Sequence, residues 1–283
     1  MLRHATVGLF CLVSFIAAAR PAAAEVWNKA WNVSGTAQIL VSADDGDIRV
    51  DAGDSKEVQA RVETAGWHIS DDEVRIIATQ EGNRINLQVK LPNQRFSISF
   101  RRSISVELKV PRSAELNLRT GDGNISTHAV EGALRADTGD GNINVGAANG
   151  EIRLHTGDGN ITGDGLAGAL SADTGDGNIR LEGRLQVVDV RTGDGNVDVT
   201  ALSGSRVESA WKLSTGDGNV VLRLPDGVGA ELDAHTGDGR VTVDFPVTFS
   251  GRAEKSSVRG SMNGGGPQLT VSTGDGDIRI AKY

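Results

Sequence analysis

Aspartates recur along the chain at a regular spacing, and their carboxylates are side chains that bind Ca²⁺. They belong to a repeated tetrapeptide, Thr-Gly-Asp-Gly, whose first five in-phase copies lie 18 residues apart. If equivalent strands stack about 4.8 Å apart, the carboxylates form a column whose mutual repulsion a bound cation would offset. The repeated aspartates are Asp122, Asp140, Asp158, Asp176, Asp194, Asp217, Asp238 and Asp275.

A second interpretation of this column needs no metal. Each aspartate would cap its own turn by accepting backbone N–H bonds, with its carboxylate fanned into water. The nine-residue calcium-binding repeat carries Gly-Gly-x-Gly-x-Asp, whereas here an inward-pointing Ile or Val stands two residues past the second glycine. We therefore expect no cofactor and no metal-ligating residue, and Ca²⁺ at the eight aspartates stays the weaker alternative.

The sequence offers no convincing catalytic constellation. His155 and His235 share a position in the repeat but lie several repeats apart, and no Ser-His-Asp order is recognisable. Polysaccharide lyases and hydrolases place paired carboxylates in a groove, and only the irregular stretches 201–214 and 245–268 offer any. We predict a non-enzyme, with a carbohydrate-active β-helix enzyme as the alternative. The residues that this alternative would use are Arg206, Glu208, Lys212, Glu254 and Lys255.

The residues around each tetrapeptide alternate between apolar and polar, which is typical of half-buried β-strands. Gly-Asp-Gly would be the turn between two strands, because glycine tolerates positive φ. We expect the threonines to be structural, with hydroxyls bonded to those of their neighbours. The asparagines after the turns are expected to form an amide ladder, and they are Asn124, Asn142, Asn160, Asn178, Asn196 and Asn219.

Two packings of these strands compete, an antiparallel meander and a parallel β-solenoid. A meander would leave one apolar face uncovered, since no helical segment exists to cover it, whereas a coil closes that face on itself. Inward positions alternate between large and small along the repeats, as in Leu118, Ala136 and Leu154, and outward Arg119 would adjoin Asp137. We predict an all-β, single-domain parallel β-solenoid with coils of about 18 residues, and we expect it to be right-handed.

The predicted solenoid divides into two continuous parts after a signal segment. Residues 25–110 would form an N-terminal cap and irregular coils, with Trp27 and Trp31 covering the first coil. Residues 111–283 would form the regular Thr-Gly-Asp-Gly coils, with an excursion loop at Lys255 to Gly266. At this coil length the chain makes about 13 windings.

The N-terminus is typical of a secretory signal peptide over residues 1–24. Arg3 precedes an apolar stretch that is too short for a comfortable membrane span, and Ala22 to Ala24 fit a cleavage site. Cleavage removes Cys11, the chain's one cysteine, and leaves no stable membrane span. We predict export to the periplasm, the cell surface or the medium. The formal net charge of −8 makes nucleic acid a poor partner.

Together, the signal segment, the Thr-Gly-Asp-Gly-Asn-Ile units and the ending Gly264-Gly265-Gly266 to Ile278 resemble the bacterial "putative adhesin" family of β-strand-repeat domains, a family of unknown function. The resemblance covers about residues 35–283 and implies a β-helix-like solenoid at the cell envelope, with no established catalytic residues. We therefore expect a non-catalytic envelope protein that acts in adhesion, in binding or as a structural scaffold. Its partner would be an unidentified envelope glycan or protein, and its oligomeric state is not indicated.

Overall fold

The computed structural model describes residues 24–92, 102–249 and 254–283, and the regular elements among them are all β-strands. The predicted signal segment lies outside the described residues, except for Ala24, which begins the first strand. All the strands belong to one hydrogen-bonded sheet. They are β1 (Ala24–Asn32), β2 (Ala37–Ala43), β3 (Asp47–Gly53), β4 (Glu57–Ala65), β5 (Arg75–Glu81), β6 (Arg84–Lys90), β7 (Ser103–Pro111), β8 (Ala114–Thr120), β9 (Ile125–Glu131), β10 (Leu134–Thr138), β11 (Ile143–Thr156), β12 (Ile161–Thr174), β13 (Ile179–Thr192), β14 (Val197–Ala201), β15 (Trp211–Asp217), β16 (Val220–Leu224), β17 (Ala230–Asp238), β18 (Val241–Val243), β19 (Val247–Phe249), β20 (Ser257–Met262), β21 (Gln268–Asp275) and β22 (Ile278–Lys282).

The sheet coils around an apolar core, and this confirms the predicted β-solenoid. Each winding has one segment before the Gly-Asp-Gly turn and one after it. The long strands β11, β12 and β13 each pass through a bend opposite the turn. Each of them therefore contributes a segment to both faces of the solenoid, the one after a turn and the one before the next turn. In the middle of the chain, Leu118, Ala136, Leu154 and Ala172 are parallel register partners in successive windings, and all four are buried. Large and small side chains therefore alternate along the core, as predicted.

At both ends of the solenoid the windings depart from chain order, which corrects the expectation of a simple succession. The winding β2–β3 lies between β6–β7 and β8–β9. The last winding of the chain, β21–β22, lies between β15–β16 and β17–β18. The described residues form ten windings rather than about 13, because the residues between these out-of-order windings build antiparallel caps.

Antiparallel strands close the two ends. At one end β1 pairs with β4 and β4 with β7, while β5 pairs with β6 on the other face. Trp31 of β1 is buried and its ring lies 6.3 Å from that of Trp27, so these residues do cover this end of the core. At the other end β20 pairs with β17 and β19. The segment Lys255 to Gly266 is therefore largely a capping strand and not an excursion loop.

Close stacking of the windings, not positive φ, explains most of the turn glycines. A Cβ on Gly139 would lie 2.6 Å from the carbonyl oxygen of Gly121 in the winding below, and one on Gly141 would lie closer still to that of Gly123. Neither Gly139 nor Gly141 has a positive φ. The predicted reason for glycine in these turns was thus wrong at these positions, since the carbonyl of the neighbouring turn occupies the space of a side chain.

Candidate functional site

The threonine column clamps each turn to the winding beneath it. The hydroxyl of Thr156 donates to the carbonyl of Gly141 at 2.8 Å and accepts from the N–H of its own turn's Gly159 at 3.2 Å. The repeated threonines are buried and make the same downward bond in the other regular windings. The threonines are structural, as expected, but their hydroxyls bond to glycine carbonyls and not to each other.

The asparagines after the turns form the predicted amide ladder. The side-chain oxygen of Asn142 accepts from both the N–H and the side-chain amide of Asn160, at 2.9 and 3.2 Å. The same pair of bonds joins each successive asparagine from Asn124 to Asn219. At the N-terminal end of the ladder, Asn124 donates both bonds to the carboxylate of Asp47. A carboxylate suits this position, because the side chain there only accepts hydrogen bonds. The ladder uses the amides to hold windings together.

The aspartate column lies in solvent and does not cap the turns. All eight carboxylates predicted as turn caps are on exposed residues. Within residues 24–92, 102–249 and 254–283 none of them accepts a hydrogen bond, because the threonine hydroxyl takes that place in the turn. The expectation that each aspartate caps its own turn is therefore wrong. No group of three or more His, Cys, Asp or Glu side chains that could hold a metal ion occurs in the described part of the chain.

The outer face of the strands before the turns carries a network of opposite charges. The carboxylate of Asp137 accepts two hydrogen bonds from the guanidinium of Arg135, at 2.8 and 3.0 Å. The guanidinium of Arg119, in the preceding winding, lies 3.5 Å from the same carboxylate. The hydrogen bond to Asp137 raises the pKa of Arg135 above its ordinary value. The predicted proximity of Arg119 and Asp137 is confirmed, and the exposure of the arginine makes the pair a modest contribution to stability.

Four of the five candidate catalytic residues occupy two opposite edges of the solenoid, and the fifth, Lys212, lies on an outer face. The N–H of Arg206 donates to Leu185 near the bend, and the N–H of Glu208 donates to Gln186. By contrast, Lys255 accepts from Val241 just past a Gly-Asp-Gly turn, beside Glu254. Lys212 points outward on β15. The structure therefore does not assemble these residues into one site.

The two histidines of the repeat lie five winding steps apart, and the inserted winding β21–β22 adds one of these steps. His155 and His235 lie in one column on the face formed by the segments before the turns. The residues between them in this column are Asp173, Arg191, Ser214 and Ser272. At the spacing of paired strands that places them about 24 Å apart. They hold no common metal ion.

Sequence reasoning missed a cavity on the outer face near the N-terminal end. It has a volume of about 490 Å³ and is lined by strands β1, β4, β7 and β3. The strand register places its outward side chains in two rows, of which one is Asn28, Arg61, Glu107 and Arg49, and the other is Ala30, Gln59, Lys109 and Asp51. Both rows depend on β3 lying beside β7, a pairing of residues whose numbers differ by 58, which no local pattern indicates.

A second polar cluster joins β1 to the segment that follows β4. Glu25 accepts from the ring Nδ1 of His68 and from the N–H of Ile69, both at 2.7 Å. The bond to His68 lowers the pKa of Glu25, with a further contribution from the Ile69 N–H, and the bond to Glu25 raises the pKa of His68. We call this contact the Glu25–His68 latch. It lies at the N-terminal cap of the solenoid and joins two separate elements.

These features define a class of protein: a parallel β-solenoid that stacks nearly identical windings and holds them together with buried threonines and an amide ladder. The chain belongs to the Toastrack DUF4097 family, whose model matches residues 36–281. The family resemblance drawn from the repeat is thereby confirmed, and with it the fold class.

Several solved structures are similar to this chain at low sequence identity. One is a "putative lipid binding protein" from Parabacteroides distasonis ATCC 8503, with 14% identity and a TM-score of 0.51 over 90% of this chain and 96% of that one. Another is a "putative adhesin" from Bacteroides fragilis NCTC 9343, with 10% identity and a TM-score of 0.41 over 92% and 97%. A "putative cell adhesion protein" from Clostridium sporogenes ATCC 15579 has 13% identity and a TM-score of 0.33 over 92% and 100%.

No significant match was found among curated proteins. In the residues that the structure describes, no helix has the length and apolar character needed to cross a membrane.

Proposed function

We propose that the protein is an exported, non-catalytic binding scaffold of the cell envelope, which acts by presenting its outer faces to an envelope glycan or protein. One observation carries the proposal. The side chains that recur with the Thr-Gly-Asp-Gly repeat are either used between windings or left in water, as the threonines, asparagines and aspartates show. A residue repeated in this way stabilises the stack of windings. The outward positions that vary between windings are therefore the ones available to recognise a partner.

A further feature supports binding. The solenoid exposes long outer faces of alternating charge, such as the row that contains Arg119 and Asp137. Faces of this kind suit weak, extended contacts with glycans or proteins, which is the role of an adhesin or an envelope scaffold.

Cell fractionation tests the proposal directly. A C-terminally tagged chain should be recovered from the periplasm, the cell surface or the medium, without residues 1–24, and cross-linking there should capture an envelope component. The matched control is Leu12→Arg, which places a charge in the apolar stretch and should leave the full-length chain in the cytoplasm. Recovery of the unaltered chain from the cytoplasm would refute the proposal.

The alternative of a polysaccharide lyase or hydrolase has a clear test of its own. Glu208 and Glu254 lie at opposite edges, so these two residues do not form the carboxylate pair that such chemistry needs. We expect no turnover of acidic polysaccharides. Turnover that is abolished by Glu208→Gln or Glu254→Gln would establish the enzyme instead.

Lipid binding, as in the description of the Parabacteroides structure, would call for an apolar cavity. The cavity on β1, β4, β7 and β3 is rimmed by charged side chains, which favour a polar ligand.

A further inference from the structure

The cavity on the outer face of β1, β4, β7 and β3 holds charged side chains that have no partner. Arg49 is the register partner of Glu107, and Asp51 is the register partner of Lys109. Across the described parts of the chain, none of these four exposed side chains makes an ion pair or a hydrogen bond. Two cations and two carboxylates thus stand side by side around the cavity without neutralising each other.

Elsewhere in the solenoid the same strand spacing brings opposite charges together. Arg119 and Asp137 are register partners and lie 3.5 Å apart, and Asp233 and Arg259 are register partners at 2.9 Å. The spacing of the strands therefore does not prevent pairing. At the cavity the four groups lie around open space, where their hydrogen-bonding capacity is left for a ligand.

The balance of these groups indicates the ligand. Charges of Arg49 and Lys109 cancel those of Asp51 and Glu107. The other two cations of the lining already have partners, since Arg61 is bound to Glu63 at 2.7 Å and Lys29 donates to the carbonyl of Ala78 at 3.3 Å. An anionic ligand would be attracted by the two cations and repelled by the two carboxylates, and a cationic ligand would meet the reverse. A hydroxyl group both donates and accepts, so a neutral ligand rich in hydroxyls can use donors and acceptors alike.

We propose that this cavity binds a neutral oligosaccharide, an inference that rests on the proposed function of an envelope-binding scaffold. Its volume of about 490 Å³ falls within the usual range for small-ligand pockets. The side-chain amides of Asn28 and Gln59 add donors and acceptors at the rim, and exposed Ala30 leaves room between them. Recognition relies on hydrogen bonds to the sugar hydroxyls, because the lining contains no aromatic ring.

Calorimetry on the full chain, with sugars of defined charge, tests the proposal. The probes are the neutral trisaccharides maltotriose, cellotriose and triacetylchitotriose, with trigalacturonate as the acidic comparison. We expect at least one neutral probe to bind and trigalacturonate to bind at least tenfold more weakly. Ala30→Trp should fill the cavity and weaken binding at least tenfold. Val26→Trp is the matched control, since Val26 is exposed on the same strand but does not line the cavity.

A second pair of variants separates a lost hydrogen bond from a general change of surface charge. Arg49→Gln should weaken binding at least fivefold, while Arg180→Gln, which removes the same charge from the same outer face outside the cavity, should not. Each variant's melt shows whether it is folded. Binding unchanged by Ala30→Trp would overturn the site. Binding of trigalacturonate alone, or of no probe, would overturn the ligand class.

Neither negative result bears on the proposed function, because export and envelope partners are judged by fractionation and cross-linking. Conversely, recovery of the chain from the cytoplasm would refute the envelope role whatever the sugar measurements give.

Discussion

The side-chain oxygen of Asn219 accepts the N–H of Asp277 at 2.8 Å, although 58 residues separate the two along the chain. Asp277 in turn accepts from the N–H of Arg240 at 2.8 Å. The last turn of the sequence is thus the middle turn of three. The chain therefore completes its stack by inserting its C-terminal winding between two earlier ones, and the end of the solenoid is held by contacts of high sequence separation.

Because that winding is internal, its removal should be severe. Deletion of residues 268–283 takes away β21 and β22, which pair with neighbours on both sides. We expect loss of the cooperative melt of the C-terminal third and rapid proteolysis beyond residue 201, since stacked windings are stable only against their neighbours. Circular dichroism and limited proteolysis measure this. A truncated chain that melts within a few degrees of the full chain would contradict the insertion.

The turn glycines should tolerate no side chain. Gly141→Ala places a Cβ against the carbonyl oxygen of Gly123 in the winding below, and we expect it to lower the free energy of unfolding by about 3 kcal/mol. Gly53→Ala is the matched control, because no heavy atom lies within 4 Å of its Cβ position and its φ is not positive. It should change stability by less than about 0.5 kcal/mol. Equal effects in urea titrations would argue against close stacking as the cause.

The sequence predicted the coil but could not predict the order of the coils. Period-two alternation and the 18-residue repeat define the strands, the turns and the inward positions, so Leu118 over Ala136 follows from local pattern. Which winding stacks on which depends instead on pairings such as β3 with β7 and β9. Every winding presents nearly the same edge to its neighbour, so local pattern does not distinguish an adjacent winding from a distant one.

The candidate site shows the same division. The Asn ladder was predictable, since identical amides in register bond to each other. The roles of Thr156 and Asp158 were not, because the choice between hydroxyl and carboxylate as turn cap depends on turn geometry that the sequence does not specify. The cavity near Ala30 could not be predicted from the sequence, because its walls come from strands brought together by the out-of-order winding.

The amide ladder should be sensitive to loss of a single donor. In Asn160→Asp the introduced carboxylate cannot donate to the side-chain oxygen of Asn142, so two acceptors face each other. We expect a loss of about 1–3 kcal/mol at neutral pH. Protonation of the introduced carboxyl restores a donor, so we expect the loss to be smaller at low pH than at neutral pH. Urea titrations at pH 7 and 4 measure the difference.

Asp47→Asn is the matched control for the ladder. Asp47 only accepts, from the N–H and the side-chain amide of Asn124, and an amide oxygen can do the same. We expect a change below about 1 kcal/mol and little dependence on pH. A destabilisation of Asp47→Asn as large as that of Asn160→Asp would show that the ladder's direction has no energetic consequence.

The aspartate column should behave as a row of solvated like charges. Asp158→Asn removes one charge from it, and we expect a gain of up to about 1 kcal/mol at low ionic strength, which fades as salt screens the repulsion. Asp189→Asn is the opposite control, since Asp189 is paired with Arg191 at 3.2 Å and its loss should not stabilise. The melting temperature should be the same in millimolar calcium and in chelator. A calcium-dependent rise that Asp158→Asn abolishes would establish the metal column instead.

The Glu25–His68 latch should make the stability of the N-terminal cap pH-dependent. Hydrogen bonding to Glu25 raises the pKa of His68 above its ordinary 6.5, so the contribution of His68 is complete below 6.5 and is lost as pH rises through the raised value. The lowered pKa of Glu25 means that its contribution is present above 4.5 and is lost as pH falls through the lowered value. The latch is therefore strongest between these two ordinary values.

An NMR titration of the His68 ring measures the latch directly. Glu25→Gln should bring the pKa of His68 down towards 6.5, because it removes both the hydrogen bond and the charge that raise it most. Glu73→Gln should lower it less, since Glu73 acts on the ring only through its charge while its carboxylate binds the backbone N–H. Hydrogen exchange at the N–H of Ile69 should also quicken in Glu25→Gln, because that N–H loses its 2.7 Å acceptor. A His68 titration that Glu25→Gln leaves unmoved would mean that the two elements are not joined in solution.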